Sequence, residues 1–101
     1  MNAQVNIMTT YYIYLLQHEN IPEYTKIGYT SDLDKRIKQL QTASPTGIKL
    51  IYSKETSYAY QIEQALHRRY HHKNSNLEWF SLTQDDIDEI ISWINWQTRN
   101  R

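Results

Sequence analysis

Cysteine is absent from this chain of 101 residues, and glycine and proline occur only twice each. The lack of cysteine excludes a disulfide framework, a thiolate metal site and a cysteine nucleophile, and it fits a reducing compartment. The longest apolar run, residues 11–16, is far too short to span a bilayer. The N-terminus lacks the basic start and apolar run of a signal peptide. We therefore expect a soluble, cytoplasmic protein without a membrane anchor.

An excess of charge of either sign is also missing, because 11 basic residues balance 11 acidic ones. This balance counts against a dedicated nucleic-acid binder, which is usually basic. The charges are nevertheless uneven, with a basic segment at 67–73 (HRRYHHK) and an acidic one at 83–90 (TQDDIDEI). The length suits one domain. We predict a flexible leader over 1–10 and a single domain over 11–101.

Hydrophobic periodicity and turn residues predict the elements of this domain. Strands are expected over 11–17, 25–29 and 48–55, and helices over 31–42, 56–71 and 83–98. Ser31 with Asp34, and Thr83 with Asp86, resemble capping boxes at the first and last helices. Residues 18–24 and 73–76 are expected as loops, and 78–82 as a short extended piece. This order predicts an α+β domain with helices packed on a small, mostly antiparallel sheet.

The first helix carries a charge beside its apolar stripe. Leu33, Ile37 and Leu40 form the stripe, and at about 100° per residue Arg36 lies about 60° from Leu33 and about 40° from Leu40. A permanently charged guanidinium is thereby directed toward the inside of the domain. Such a placement needs a partner, either within the protein or outside it.

The second helix repeats the pattern with the opposite charge. Its stripe contains Glu63, which lies about 40° from Ala59 and about 20° from Tyr70 at about 100° per residue. His67 follows four residues later on the flank of the stripe. The two charges admit two interpretations, a buried Arg36–Glu63 ion pair or a cleft that binds an anion and a cation. Arginine binds phosphate through its planar fork, and a carboxylate binds a hard divalent metal, so the second interpretation suits phosphodiester chemistry.

The predicted strands add Tyr14 and Lys26 to this pair. A lysine beside a tyrosine lowers the pKa of the phenol by its positive charge, and a phenol so tuned serves as a general base toward water. The plainer alternative is that Tyr14 fills the core and Lys26 extends to solvent. The two residues by themselves leave both interpretations open.

The ordered set of these residues resembles the GIY-YIG nuclease superfamily. The matching pieces are YIY at 12–14, KIG at 26–28, Arg36 eight residues after the glycine, the spacing from Glu63 to His67, and EWF at 78–80. The match is closest to the phage-type branch, in which KIG replaces YIG. The resemblance covers about residues 11–82, and it implies a three-stranded antiparallel sheet flanked by helices, to which this chain adds a C-terminal helix.

The resemblance also implies an activity, the hydrolysis of DNA phosphodiester bonds with one divalent metal, Mg²⁺ or Mn²⁺, per active site. It assigns Tyr14 as general base, Lys26 as its assistant and Arg36 as the stabiliser of the phosphate in the transition state. Glu63 becomes the metal ligand, and His67 contacts phosphate or a metal-bound water. Glu78 falls near the place where other branches carry an asparagine.

Two other functions stay open. A catalytically idle DNA-binding domain on the same scaffold would use basic residues for phosphate contacts; these are Lys35, Lys38, Arg68, Arg69 and Lys73. A small phage or mobile-element protein that binds a host factor is the other alternative. Metal-dependent cleavage of DNA separates the enzyme from both.

The last helix raises a question of assembly. Ile87, Ile90, Ile91 and Ile94 form an apolar stripe, but at about 100° per residue Trp96 lies about 180° and Trp93 about 120° from Ile87. Either the helix frays near Trp96 and folds that ring back, or the two tryptophans form a homodimer surface that places two active sites on a duplex. We carry both interpretations to the structure.

Overall fold

The computed structural model describes residues 10–99, and its elements follow the chain's hydrophobic patterns. The strands are β1 (Tyr12–His18), β2 (Ile21–Thr30), β3 (Ile48–Glu55), β4 (Asn74–Asn76) and β5 (Trp79–Ser81). The helices are α1 (Leu33–Ala43), α2 (Ala59–Arg69) and α3 (Gln84–Thr98), with a short 3-10 turn at His71–Lys73. Except for Thr10, the expected leader lies outside the described residues. The division into a leader and a single domain therefore stays a prediction.

The sheet has five strands in the order β3-β1-β2-β5-β4, and all neighbours are antiparallel. The α+β class is confirmed, but the expectation of a three-stranded sheet is wrong. The polar run at 74–76 reads as a loop, yet it pairs with β5. The Asn74 side-chain amide supports this hairpin by donating to the carbonyls of Leu77 at 2.6 Å and Trp79 at 3.3 Å.

The loop expected over 18–24 is also replaced by strand. Only Glu19 and Asn20 form a turn, and His18 already pairs with Ile21 across the hairpin. The register shifts between Gln17 and His18, which marks a bulge. The shift leaves residues 22–24 of β2 without a partner in β1, and Pro22, which has no amide hydrogen to donate, lies among them. The amide of Glu19 donates to the Gly47 carbonyl at 2.9 Å and ties the hairpin to the loop before β3.

The main core lies between the sheet and helices α2 and α3. Ile13 and Leu15 of β1 and Ile27 of β2 form one buried cluster with apolar residues of both helices. Tyr14 and Leu16 are equally buried but lie outside that cluster, on the opposite face of β1. Side chains alternate between the faces of a strand, so β1 has an apolar face on the core and a second buried face toward α1.

Helix boundaries depend on local capping groups. Asp32, not Ser31, caps α1, because its carboxylate accepts a hydrogen bond from the Lys35 amide at 3.1 Å. Helix α2 begins three residues later than expected, since the Thr56 hydroxyl accepts from the Tyr58 amide and forms a turn first. The capping box of Thr83 and Asp86 at α3 is confirmed. Within residues 10–99, no helix combines the length and apolar character that crossing a membrane requires.

The two tryptophans of α3 do not form a shared surface. Trp93 packs against the core cluster, so the expectation that it faces away from the domain is wrong. The helix continues to Thr98, so the fraying expected near Trp96 is wrong as well. The Trp96 ring is 59% exposed, and the Arg99 guanidinium lies 4.3 Å from its centroid. Of the two rings on which the predicted homodimer surface rests, only Trp96 is largely exposed.

The end of α2 is fastened to α3 by a buried tyrosine. The Tyr70 hydroxyl donates to the Glu89 carboxylate at 2.6 Å, and burial together with this contact raises the pKa of Tyr70 to about 12. Tyr70→Phe should lower the free energy of unfolding at pH 7 by about 1 kcal/mol, because the Glu89 side chain is largely exposed.

The difference between Tyr70→Phe and wild type should depend on pH. A tyrosine in the unfolded chain loses its proton near pH 10, and Tyr70 does so near 12 in the fold. The contribution is therefore complete below pH 10 and lost between about pH 10 and 12. Urea unfolding of both proteins at pH 7 and at rising alkaline pH measures it. A difference that stays constant up to pH 12 would contradict this assignment.

Candidate active site

The site forms at the part of strand β2 that extends beyond its pairing with β5. Strand β5 pairs with β2 only at Tyr24, Thr25 and Lys26. At Ile27 the hydrogen bonds pass to other groups, since its amide donates to the Glu78 carbonyl at 3.0 Å and its carbonyl accepts from His67 Nε2 at 2.8 Å. Beyond that point, no strand among residues 10–99 pairs with this edge of β2. Side chains from both faces of the sheet meet around this edge.

Helix α1 brings Arg36 to the site from one face. The predicted stripe is confirmed, because Leu33, Arg36, Ile37 and Leu40 are half-buried while their neighbours are exposed. Arg36 Nε donates to the Tyr14 hydroxyl oxygen at 3.3 Å. Arginine carries five N–H donors. This contact uses one of them, so the guanidinium is held at its Nε by the phenol.

The Tyr14 phenol lies directly over Gly28, its partner in the β1–β2 register. A Cβ at Gly28 would fall 2.5 Å from the phenol oxygen and 2.6 Å from Cζ, so only glycine leaves room for the ring. Tyr14 is 1% exposed. Burial raises the pKa of its phenol above the ordinary value, although the hydrogen bond and charge of Arg36 act in the opposite direction.

Lys26 lies in a different environment from the one that either sequence-based interpretation gave it. Its side chain is buried, and its ammonium lies 2.9 Å from Glu78 Oε1. The ammonium is also 5.4 Å from the centroid of the Trp79 ring. The prediction that Lys26 lowers the pKa of Tyr14 is wrong, because burial dominates that pKa and Arg36 is the cation that touches the phenol. The alternative that Lys26 extends to solvent is wrong as well.

Helix α2 brings Glu63 to the site from the other face, with its side chain 3% exposed. Glu63 Oε1 accepts from Gln64 Nε2 at 2.6 Å, and Oε2 lies 3.9 Å from His67 Nε2. Burial raises the pKa of the Glu63 carboxyl, which the Gln64 hydrogen bond, His67 and Lys26 partly oppose. Among residues 10–99, Arg36 and Glu63 make no ion pair with each other. The interpretation as a buried Arg–Glu pair is therefore wrong.

His67 is oriented by the backbone of β2. Because a carbonyl only accepts, the 2.8 Å contact with Ile27 requires the proton on Nε2 of His67. The ring also packs edge-to-face on Phe80, with centroids 4.8 Å apart. In the neutral ring only Nδ1 stays free to accept a hydrogen bond.

These side chains line one open cleft of about 420 Å³. Its lining residues are Lys26, Arg36, Glu63, Gln64, His67, Leu77 and Glu78. Four of the five predicted catalytic residues thus meet there, and Tyr14 supports Arg36 beneath them. Sequence reasoning missed Gln64 and Leu77 and gave Glu78 no role. Glu78 is the first residue of the EWF segment and directly precedes β5, and its position in the turn between β4 and β5 brings its carboxylate to Lys26.

The basic residues predicted to bind DNA fall into two groups. Lys35, Lys38 and Arg68 are exposed, and the structure shows no carboxylate within ion-pair distance of them in the part of the chain it describes. Arg69 instead lies 3.5 Å from Glu89, and Lys73 pairs with Asp86 and lowers the pKa of that carboxyl. These last two cations neutralise the acidic face of α3.

The donor atoms of the cleft fit a divalent cation that keeps most of its water. Glu63 Oε2 makes no hydrogen bond within the described residues, and His67 Nε2 lies 3.9 Å from it. Glu78 Oε1 is buried, and its partner is the Lys26 ammonium at 2.9 Å. Carboxylate oxygens are the ligands that Mg²⁺ prefers, and one or two suffice when phosphate and water supply the rest. Within the described residues, no group of three or more histidine, cysteine, aspartate or glutamate side chains is arranged so that it could hold a metal ion.

A comparison with known families identifies the family of this chain. The family model described as the T5orf172 domain matches residues 11–95, which span every element from β1 into α3. The curated proteins and the solved structures contain no match to the chain.

The contact of Tyr14 with Gly28 predicts an asymmetry between the two glycines. Gly28→Ala should cost about 1–3 kcal/mol of stability, the range for overpacking, because the buried phenol has no room to move. Gly47→Ala should cost little, since its Cβ would meet only the flexible end of exposed Glu19. Neither glycine has positive φ, so backbone strain does not enter the comparison.

A double-mutant cycle checks the cause of that cost. In a Tyr14→Ala background, Gly28→Ala should cost much less, because the ring that it strikes is gone. Denaturant unfolding of the four proteins gives the coupling energy. An unchanged cost in the absence of the ring would contradict the account.

Proposed function

Since the chain belongs to the T5orf172 domain family, we propose that it is a metal-dependent DNA endonuclease of the GIY-YIG type that its motifs resemble. The observation that carries this proposal is the meeting of Arg36 and Glu63 in one cleft without pairing to each other. Two buried or half-buried charges of opposite sign that avoid each other indicate an external ligand with both kinds of charge. A phosphodiester together with a divalent cation has that character.

Arg36 is the proposed phosphate ligand. Its Nε is held by Tyr14, and its terminal nitrogens stay available toward the cleft. A guanidinium placed in this way makes two parallel hydrogen bonds to phosphate oxygens and stabilises the charge that develops on them in the transition state. Lys26 adds a second positive charge at the cleft, although Glu78 offsets part of it.

Glu63 is the proposed metal ligand, with Glu78 as the nearest additional carboxylate. A divalent cation bound there, Mg²⁺ or Mn²⁺, would supply positive charge that neutralises the phosphate and eases removal of a proton from water. The protein's own contribution is to keep Glu63 buried and aimed by its Gln64 hydrogen bond. His67 borders this carboxylate and presents Nδ1 as an acceptor.

Tyr14 is the proposed proton acceptor and also the positioning residue for Arg36. In the free protein its raised pKa keeps the phenol protonated at neutral pH. Its hydroxyl oxygen therefore acts first as the acceptor that fixes Arg36 Nε. Before it can accept a proton from water, the phenol must release its own proton to solvent, and additional positive charge in the cleft would favour that release.

DNA binding without catalysis is the second candidate function. The observation that favours it is the exposed pair Lys35 and Lys38 on α1, which no carboxylate of the described residues neutralises. Such a surface provides salt-dependent phosphate contacts whether or not the cleft is active. The variants below separate the two functions.

Glu63→Gln should abolish DNA cleavage in the presence of Mg²⁺ or Mn²⁺, because the amide keeps the shape of the side chain but removes its negative charge. DNA affinity measured in EDTA should change little. Glu55→Gln, an exposed change on β3, is the matched control and should retain wild-type cleavage. A wild-type protein that cuts no form of DNA with either metal, but still binds it, would favour the non-catalytic function.

Arg36→Ala should slow cleavage roughly a hundredfold or more, the scale for loss of one group that stabilises charge in the transition state. Its melting temperature should fall only modestly, because the substitution removes the hydrogen bond to the buried Tyr14 hydroxyl but breaks no buried ion pair among the described residues. Arg99→Ala is the control, since that arginine is exposed at the end of α3 and lies outside the cleft. A large loss of melting temperature with undiminished cleavage per folded molecule would assign Arg36 to structure instead.

A further inference from the structure

A second concave surface lies beside the cleft and is lined by tyrosines. Its residues are Tyr11, Tyr29, Ser57, Tyr60 and Gln61, and together they form an open recess of about 380 Å³.

 We call this recess the tyrosine pocket. Two of its side chains are exposed to solvent to an extent that is large for aromatic residues, 38% for Tyr29 and 51% for Tyr60.

The rings of the tyrosine pocket hold one another in place. Tyr29 and Tyr60 meet edge-to-face with centroids 5.3 Å apart, and Tyr11 lies 6.5 Å from Tyr29 at a tilt of 48°. Tyr11 also packs against the core cluster. The rings are therefore ordered before any ligand arrives, which reduces the entropy lost on binding.

The chemistry of the tyrosine pocket suits a nucleobase rather than a phosphate. None of its five lining residues is charged. Aromatic rings stack on the π-face that every base has, whereas phosphate contacts require cations. The hydroxyl of Ser57 and the amide of Gln61 add polar groups that hydrogen-bond to the edge of a base.

Helix α2 and strand β2 connect the tyrosine pocket to the cleft. Tyr60 precedes Glu63 and Gln64 by three and four residues, so these side chains are neighbours on one side of the helix, about 5–6 Å apart at Cβ. Tyr29 directly follows Gly28, which lies under the Tyr14 phenol. A DNA strand advances by about 3.4 Å per nucleotide in a duplex. The pocket is thus one or two nucleotides from a phosphate bound in the cleft.

We propose that the tyrosine pocket binds an unpaired nucleobase next to the phosphate held in the cleft. This inference rests on the proposed function, and it names the substrate class as single-stranded DNA or DNA with unpaired bases at a branch or flap. A base that is paired and stacked within a duplex must first be extruded to enter a recess, at a cost that an unpaired base avoids.

The test uses a single-stranded oligonucleotide that carries one 2-aminopurine among thymines, in EDTA so that no cleavage occurs. Wild type should bind it and quench its fluorescence by stacking, and should bind a duplex of equal length more weakly. Tyr60→Ala should reduce the single-strand affinity roughly 5- to 150-fold, the range for loss of one stacking ring, and should remove the quench. Tyr60→Phe, which retains the ring, should preserve both.

Tyr29→Ala and Tyr24→Ala provide a matched pair, because both rings are 38% exposed but only Tyr29 lines the tyrosine pocket. Tyr29→Ala should behave like Tyr60→Ala, and Tyr24→Ala like wild type. The salt dependence of binding should stay unchanged in all four variants, because no phosphate contact is removed. Circular dichroism verifies that each variant is folded.

Two binding results would overturn the inference: an absence of quenching by wild type, or equal weakening by Tyr24→Ala and Tyr29→Ala. Failure of the proposed function has a different signature. In that case no DNA is cut with Mg²⁺ or Mn²⁺, while Tyr60-dependent quenching persists. Cleavage of single-stranded and branched DNA by Tyr60→Ala at the wild-type rate would instead remove the inference and leave the nuclease function standing.

Discussion

Burial of strand β1 on both faces is the constraint on which the rest of the structure depends. Ile13 and Leu15 enter the core beneath α2 and α3, so the alternation of a strand sends Tyr14 and Leu16 to the other side. A tyrosine on that side needs space, which Gly28 provides across the hairpin. Its hydroxyl needs a partner when buried, which Arg36 provides from α1. One strand therefore fixes the first half of the cleft.

The second half of the cleft follows from the short reach of β5. Because β5 pairs with β2 only as far as Lys26, the edge beyond it is open, and Glu63 and His67 approach from α2. Every charged group in the cleft has a local contact, yet Arg36 and Glu63 remain apart. Keeping charges out of water is unfavourable unless something compensates them. A substrate that brings both a phosphate and a cation provides that compensation.

Helical periodicity predicted the site better than strand patterns did. Arg36 and Glu63 were predicted to face inward because a helix repeats every 3.6 residues, and the structure confirms both orientations. Lys26 was misjudged, because its partner Glu78 comes from a hairpin 52 residues later in the chain. Strand β4 was missed because its polar residues resemble a loop, and only pairing with β5 makes it a strand. Trp93 was misplaced because the angular argument ignores how far a large ring reaches toward the core.

The central claim is that a divalent cation and a phosphodiester meet in the cleft between Arg36 and Glu63. The most direct measurement is amide NMR of the ¹⁵N-labelled protein, with Mn²⁺ added at low stoichiometry in the presence and absence of a short oligonucleotide. The account predicts paramagnetic broadening centred on Gly28, Glu63 and Glu78, and shifts induced by DNA around Arg36. Broadening centred on the acidic start of α3, with shifts induced by DNA confined to Lys35 and Lys38, would contradict it.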